Sequence, residues 1–264
     1  MLAQRVLSAV VLAPLLLLAV AAGGVWYLGF AVVIALVASW ELYLLLRRAG
    51  FAPLWPLGML VVPMFFLGRY FDEPRVVQDV LALALAGSLA YMLIRRRLEG
   101  SLLDWTITWL PPFYTGLMLS YAVALRQLPF GDRWMFAALA VAWATDSGAY
   151  FAGSLLGRHP FFPHISPRKT LEGALGGALL GLAAGVALAW IFGWDVVRMA
   201  PIALIAALAA QVGDLAESFM KRQLKTKDAG QLIPGHGGML DRTDSVIFVV
   251  MAFYFWAIWI GGAR

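Results

Sequence analysis

Long apolar runs separated by short polar loops set the pattern of this chain. The runs are continuous and do not alternate apolar with polar residues. A membrane-spanning barrel strand would alternate at every second residue, so the pattern predicts helices. About 20 apolar residues carry a helix across a bilayer. On that scale the runs predict nine spans, near 6–22, 25–46, 52–68, 76–94, 106–125, 134–156, 173–192, 199–220 and 245–262. Pro53, Pro56 and Pro63 interrupt the third, and Pro111-Pro112 predicts a kink in the fifth. The start of the chain, with Arg5, an apolar stretch and Ala19-Val20-Ala21, has the outline of a signal peptide. A second apolar run follows at once, so residues 6–46 predict two retained helices hinged at Gly23-Gly24.

Composition agrees with this reading. The chain is 62% hydrophobic and 13% charged, and its mean hydropathy of +0.82 excludes an ordinary soluble domain. With nine spans in 264 residues, no extramembrane domain of about 100 residues fits. The absence of cysteine excludes disulfides, thiolate metal sites and cysteine nucleophiles.

The net charge is +5, and its distribution gives a topology. With the N-terminus in the cytoplasm, the inner loops carry Arg5, Arg47, Arg48, Arg95, Arg96, Arg97, Arg158, Arg168, Lys169, Lys221, Arg222, Lys225, Lys227 and Arg242, which is 14 of the 20 basic residues. Inner loops of membrane proteins are enriched in Lys and Arg in this way. The basic residues sit between spans and form no contiguous stripe, so nucleic acid is not an expected partner. The expected fold is an all-α integral membrane protein of about nine transmembrane helices, N-terminus cytoplasmic and C-terminus outside. Residues 1–130 form an N-terminal region for scaffolding, dimer contacts or lipid access. Residues 131–264 form a catalytic region with two polar inner loops, 157–173 and 221–244.

An acid inside a span costs about 2.5–3.5 kcal/mol at its centre on insertion scales, so such residues are functional candidates. Asp146 in "AWATDSGAYFAG" qualifies, as do Asp214 and Glu217, three apart on one helix face. The densest polar cluster is "GHGGMLDRTDS", residues 235–245. If the last helix begins near Leu240, Asp241 and Asp244 project from its first turn on one face. Paired carboxylates suit a hard cation such as Mg²⁺, and a helix N-terminus favours phosphate. Gly237-Gly238 allows close backbone approach. Lys221, Arg222, Lys227 and Arg242 offer donors to phosphate oxygens. Together these types make a phosphoryl- or nucleotidyl-transfer constellation. Taken singly, Asp241 serves equally as a helix cap and the lysines as membrane anchors. His236 has no zinc partners beyond His159 and His164 and no serine partner; a phosphate contact is its expected role.

The segment "SFMKRQLKTKDAGQLIPGHGGMLDRTD", residues 218–244, resembles the signature of phosphatidate cytidylyltransferases, also called CDP-diacylglycerol synthases. Ser218, Lys221, Arg222, Lys227, Asp228, Gly230, Pro234, His236, Gly237, Gly238, Asp241, Arg242 and Asp244 all match its fixed positions. Upstream, "DSGAYFAGSLLGRHPFFPHISPRKTLEG" is similar to a second block of the family, bringing in Asp146, Ser166, Lys169, Thr170 and Glu172. Arg168 stands where lysine or asparagine is usual, so a fork replaces a point charge. The resemblance covers about residues 140–245.

The resemblance implies an enzyme that converts phosphatidic acid and CTP to CDP-diacylglycerol and pyrophosphate, working as a homodimer in the bacterial inner membrane with its site on the cytoplasmic side. It implies Mg²⁺, with K⁺ as a second cation. Carried over residue by residue, Asp214, Asp241 and Asp244 are the metal ligands and, with Lys221 and Arg222, the catalytic set. The other residues of the two blocks, Asp146, Ser166, Arg168, Lys169, Thr170, Glu172, Ser218, Lys227, Asp228, His236, Gly237, Gly238 and Arg242, are implied to contact substrate, Arg168 as a departure from the pattern. A lipid or polyprenol kinase shares the same residue types and differs in its products. A CDP-alcohol phosphotransferase is disfavoured by the absence of its motif, and a secondary transporter by the absence of repeats.

Overall fold

The structure is a computed structural model, described here for residues 2–94, 99–226, 230 and 237–260, with side chains from residue 10 onward. Ten α-helices follow in order: α1 (Leu2–Ala22), α2 (Gly24–Arg48), α3 (Trp55–Tyr70), α4 (Pro74–Ile94), α5 (Ser101–Thr108), α6 (Met118–Gln127), α7 (Gly131–Leu156), α8 (Leu171–Phe192), α9 (Val196–Gln223) and α10 (Leu240–Trp259). A π-helical segment, Pro112–Leu117, joins α5 to α6. Among the described residues there is no β-strand; Pro160 and Thr170 form an isolated antiparallel bridge.

Each apolar run expected from the sequence is mostly helical over its described residues. Five helices, α2, α4, α8, α9 and α10, are long and apolar enough to cross a membrane by themselves, and Val10–Ala22 is a shorter apolar helix. The hinge at Gly23-Gly24 is a true break: both glycines have positive φ, 64° and 53°, a region open to glycine at little cost. The proline pair divides the fifth run. Pro112 has no N–H to give the carbonyl of Thr108, and the Tyr43 hydroxyl donates to that carbonyl instead, at 2.6 Å.

The chain forms two compact units. The first comprises residues 1–124 and 224–240, the second 125–223 and 241–264. Of the described signature residues, Gly230, Gly237 and Gly238 fall in the first unit and Asp241, Arg242 and Asp244 in the second. In the first unit Leu42, Tyr43, Leu46, Val62 and Phe66 are fully buried. A Cβ at Gly58 would overlap the Tyr43 ring, so α2 and α3 meet closely there. Buried Asp104 accepts the Ala52 N–H at 2.8 Å, and the Thr108 hydroxyl accepts that of Leu54 at 2.8 Å.

In the second unit α8 packs on α7 and α9 through small residues. Gly173, Gly177, Gly181 and Gly185 recur every fourth residue and are absent from the exposed face. A Cβ at Gly148 would lie 2.5 Å from the Gly176 carbonyl oxygen, and one at Gly181 2.7 Å from Ala207 Cβ. Small residues of this kind let helix backbones approach closely where lipid removes the usual hydrophobic drive. Trp134 and Trp194 stack at 4.4 Å near the other end of the same unit.

Candidate active site

The second unit contains an open-mouthed cavity of about 650 Å³, whose walls include Asp146, Tyr150, Arg168, Lys169, Asp214, Asp241, Arg242 and Asp244. Three helices and one loop supply these groups. Asp146 comes from the middle of α7, Asp214 from α9, and Asp241, Arg242 and Asp244 from the first turns of α10. The junction of α9 and α10 is tight: a Cβ at Gly213 would lie 2.4 Å from the Asp244 carbonyl oxygen. That contact brings Asp214, the next residue on α9, beside the start of α10. The α10 start at Leu240 matches the one on which the pairing of Asp241 with Asp244 was argued.

The loop before α8 delivers the cations. Thr170 caps α8, its hydroxyl accepting the Gly173 N–H at 3.1 Å. The Phe161 N–H donates to the Lys169 carbonyl at 2.8 Å and that of Leu171 to His159 at 2.9 Å, pinning the loop back on itself. Glu172 completes the clasp: it accepts the Arg158 N–H at 3.1 Å and that of His159 at 3.3 Å, and pairs with His159 Nδ1 at 2.5 Å. Lys169, so placed, reaches Asp214 at 2.7 Å.

A second ion-pair group adjoins the cavity. Lys221 Nζ lies 2.5 Å from Glu217 and 2.7 Å from Asp241. The Glu217 side chain is 1% exposed and that of Lys221 13% exposed, so the group is shielded from solvent. Arg222 donates through Nε to the Ile165 carbonyl at 3.0 Å, tying α9 to the cationic loop. The Ser245 N–H donates to Asp244 at 2.6 Å.

Of the residues expected at the site, Asp146, Arg168, Lys169, Thr170, Asp214, Asp241, Arg242 and Asp244 line one cavity. Lys221 touches it through Asp241. Ser166 is part of the loop's own turn, its N–H donating to Phe162 at 2.9 Å. Glu172 and Arg222 hold that loop, and Ser218 lies on α9 outside the cavity wall. Gly237 and Gly238 lie in the first unit; Lys227, Asp228 and His236 fall outside the described residues. Sequence reasoning missed Tyr150, Gln211 and Ser245 in the wall. Gln211 carried a signal, a lone amide in the apolar run of α9; its side chain donates to the Ala174 carbonyl at 3.0 Å.

The donor set suits a hard divalent cation. Four carboxylates share the cavity with no sulfur and no imidazole in its wall, which is the oxygen-only chemistry of Mg²⁺. Among the described residues no three acidic or histidine groups form a ready-made cage. Mg²⁺ does not require one, since it usually takes one or two carboxylates together with substrate phosphates and water.

Comparison with known proteins bears on the whole chain. The profile of the Cytidylyltransferase family matches residues 3–259. The phosphatidate cytidylyltransferase of Bacillus subtilis (strain 168) is 34% identical, over 96% of this chain and 96% of its own length. That of Brucella suis biovar 1 is 34% identical over 95% and 91%, and that of Synechocystis sp. is 33% identical over 97% and 96%. A cavity that gathers carboxylates and cations inside a bundle of membrane-length helices fits such enzymes, and with a family match from end to end, the chain belongs to the cytidylyltransferase family and is a nucleotidyltransferase.

Proposed function

We propose that this protein is a phosphatidate cytidylyltransferase, converting phosphatidic acid and CTP to CDP-diacylglycerol and pyrophosphate. The observation that carries the reading is the single cavity holding Asp146, Asp214, Asp241 and Asp244 with Arg168, Lys169 and Arg242. A phosphate-monoester oxygen of the lipid attacks the α-phosphorus of CTP, forming a new P–O bond. The bond from that phosphorus to the oxygen bridging to the β-phosphate breaks, and pyrophosphate leaves. By analogy with phosphoserine, the lipid phosphate has a second pKa of about 6 and is largely a dianion near neutrality. No strong general base is therefore needed, and His236 is left a phosphate-contact role.

The work of the protein is to hold two polyanions together. Lys169, Arg168, Arg242 and Lys221 are the candidates for phosphate oxygens, fixed before reaction by the loop and helix contacts described above. Asp214, Asp241 and Asp244 are the candidate Mg²⁺ ligands, with K⁺ as a second cation; the bound metal would neutralise charge on the nucleotide phosphates. The charge distribution supports nine transmembrane helices with the N-terminus cytoplasmic, the C-terminus outside and the site on the cytoplasmic side of the inner membrane. CTP then arrives from the cytoplasm, and phosphatidic acid from the leaflet. The homodimer rests on the family resemblance.

The test is pyrophosphate release by purified protein supplied with CTP and Mg²⁺. The proposal expects release that depends on phosphatidic acid and disappears in Asp244→Asn. Equal release with diacylglycerol in place of phosphatidic acid would rule out the lipid phosphate as nucleophile.

A further inference from the structure

Glu41 lies in α2, inside a run that is otherwise uncharged from Gly24 to Leu46. It is only 4% exposed. A buried carboxylate in such a helix is costly unless bound. Its Oε2 accepts the backbone N–H of Leu240 at 2.8 Å, across 199 residues of chain. Leu240 opens α10, so the carboxylate satisfies one of the orphan N–H groups at that helix start.

Two glycines of the signature segment press on the same carboxylate. A Cβ at Gly230 would lie 2.6 Å from Oε1, and one at Gly238 2.5 Å from Oε2. Gly238 is buried, so a side chain there would displace the carboxylate from Leu240. The glycines thus make room for an acid of the protein itself.

We propose that Glu41 is a positioning residue for the signature loop. It holds Gly230, Gly238 and Leu240 against α2 and so fixes the residue at which α10 begins, the one that directly precedes Asp241 in the chain. Glu41 touches neither substrate nor metal; it acts through the Leu240 amide and the two glycines. The consequence for metal binding rests on the reading of Asp241 and Asp244 as ligands, whereas the clamp on Leu240 does not.

The experiment uses full-length protein in lipid nanodiscs, with Mn²⁺ affinity by electron paramagnetic resonance and amide hydrogen exchange over residues 237–243. Glu41→Ala and Gly238→Ala are expected to accelerate exchange there and to weaken Mn²⁺ binding by about 10-fold or more, the usual effect of losing a group that orients metal ligands. Glu41→Gln, which keeps an oxygen for Leu240, is expected to stay closer to the parent than to Glu41→Ala on both readouts. Asp104→Asn, at another buried carboxylate that accepts a backbone N–H in the same unit, is expected to leave both at parental values. Parental exchange in Glu41→Ala and Gly238→Ala overturns the proposal, as does an equal loss in Asp104→Asn. Should Glu41→Ala not fold, Gly238→Ala decides by the same criteria. If Asp241→Asn and Asp244→Asn bind Mn²⁺ like the parent, the metal reading falls, and exchange alone still decides the clamp.

Discussion

Two lysines hold carboxylates expected to meet the metal: Lys169 pairs with Asp214 and Lys221 with Asp241. Each cation holds its carboxylate in place by a direct ion pair, and Lys169 also lines the cavity itself. The burden on the two sides differs. Asp241→Ala and Asp244→Ala should each cut CDP-lipid formation on the order of 100-fold or more, as the loss of a main electrostatic element does; steady-state rates on monodisperse variants check this. Lys221→Ala should destabilise as well, by about 3–5 kcal/mol, because it removes the cation paired with fully buried Glu217. A lowered thermal midpoint in Lys221→Ala, set beside an unchanged one in Lys225→Ala, is the expected result. At this scale the sequence was readable where geometry is local. The three-residue spacing put Asp241 with Asp244, and the start of α10 at Leu240 supports that pairing. Glu41 was not readable, although an acid in an apolar run was there to be seen, because its partner is 199 residues away.

Helices position this site by approaching one another unusually closely. Gly213 lets α9 meet α10 at the backbone of Asp244, and Gly148 and Gly181 let α8 settle on α7 and α9. A leucine at Gly213 must push α10 outward, since the contacted atom is a main-chain oxygen that cannot swing aside. Gly213→Leu should therefore lose nearly all activity while Gly29→Leu, at a glycine facing open space, retains it; parallel rate measurements on the pair read the difference. The periodicity of α8 was visible in the sequence as glycines every fourth residue, but which neighbours they face was not. Apolar runs locate helices because burial and lipid select the same residues. They cannot say that Pro111-Pro112 opens a π-helical segment, because that depends on Tyr43 of another helix taking the freed carbonyl.

For the whole molecule, charge distribution carries more information than hydropathy. Among the described residues five helices are long and apolar enough to cross a membrane by themselves, while the nine-span topology rests on the alternation of basic loops. The chain has no cysteine, so single cysteines report sidedness without background. His164→Cys should react with a membrane-impermeant maleimide only from the cytoplasmic face, and Glu73→Cys only from the outer face; reaction of both from one side would overturn the alternation. The two units divide the signature segment at residue 240, with Leu240 in the first and Asp241 in the second. No local pattern foretold this, because it is made by long-range contacts such as Glu41 with Leu240. The central claim is that this cavity transfers a cytidylyl group to a lipid phosphate. Purified protein with phosphatidic acid, Mg²⁺ and CTP labelled at either the α- or the γ-phosphorus tests it most directly. The expected result is α-label in the lipid and γ-label released as pyrophosphate; γ-label in the lipid would show a kinase and overturn cytidylyl transfer.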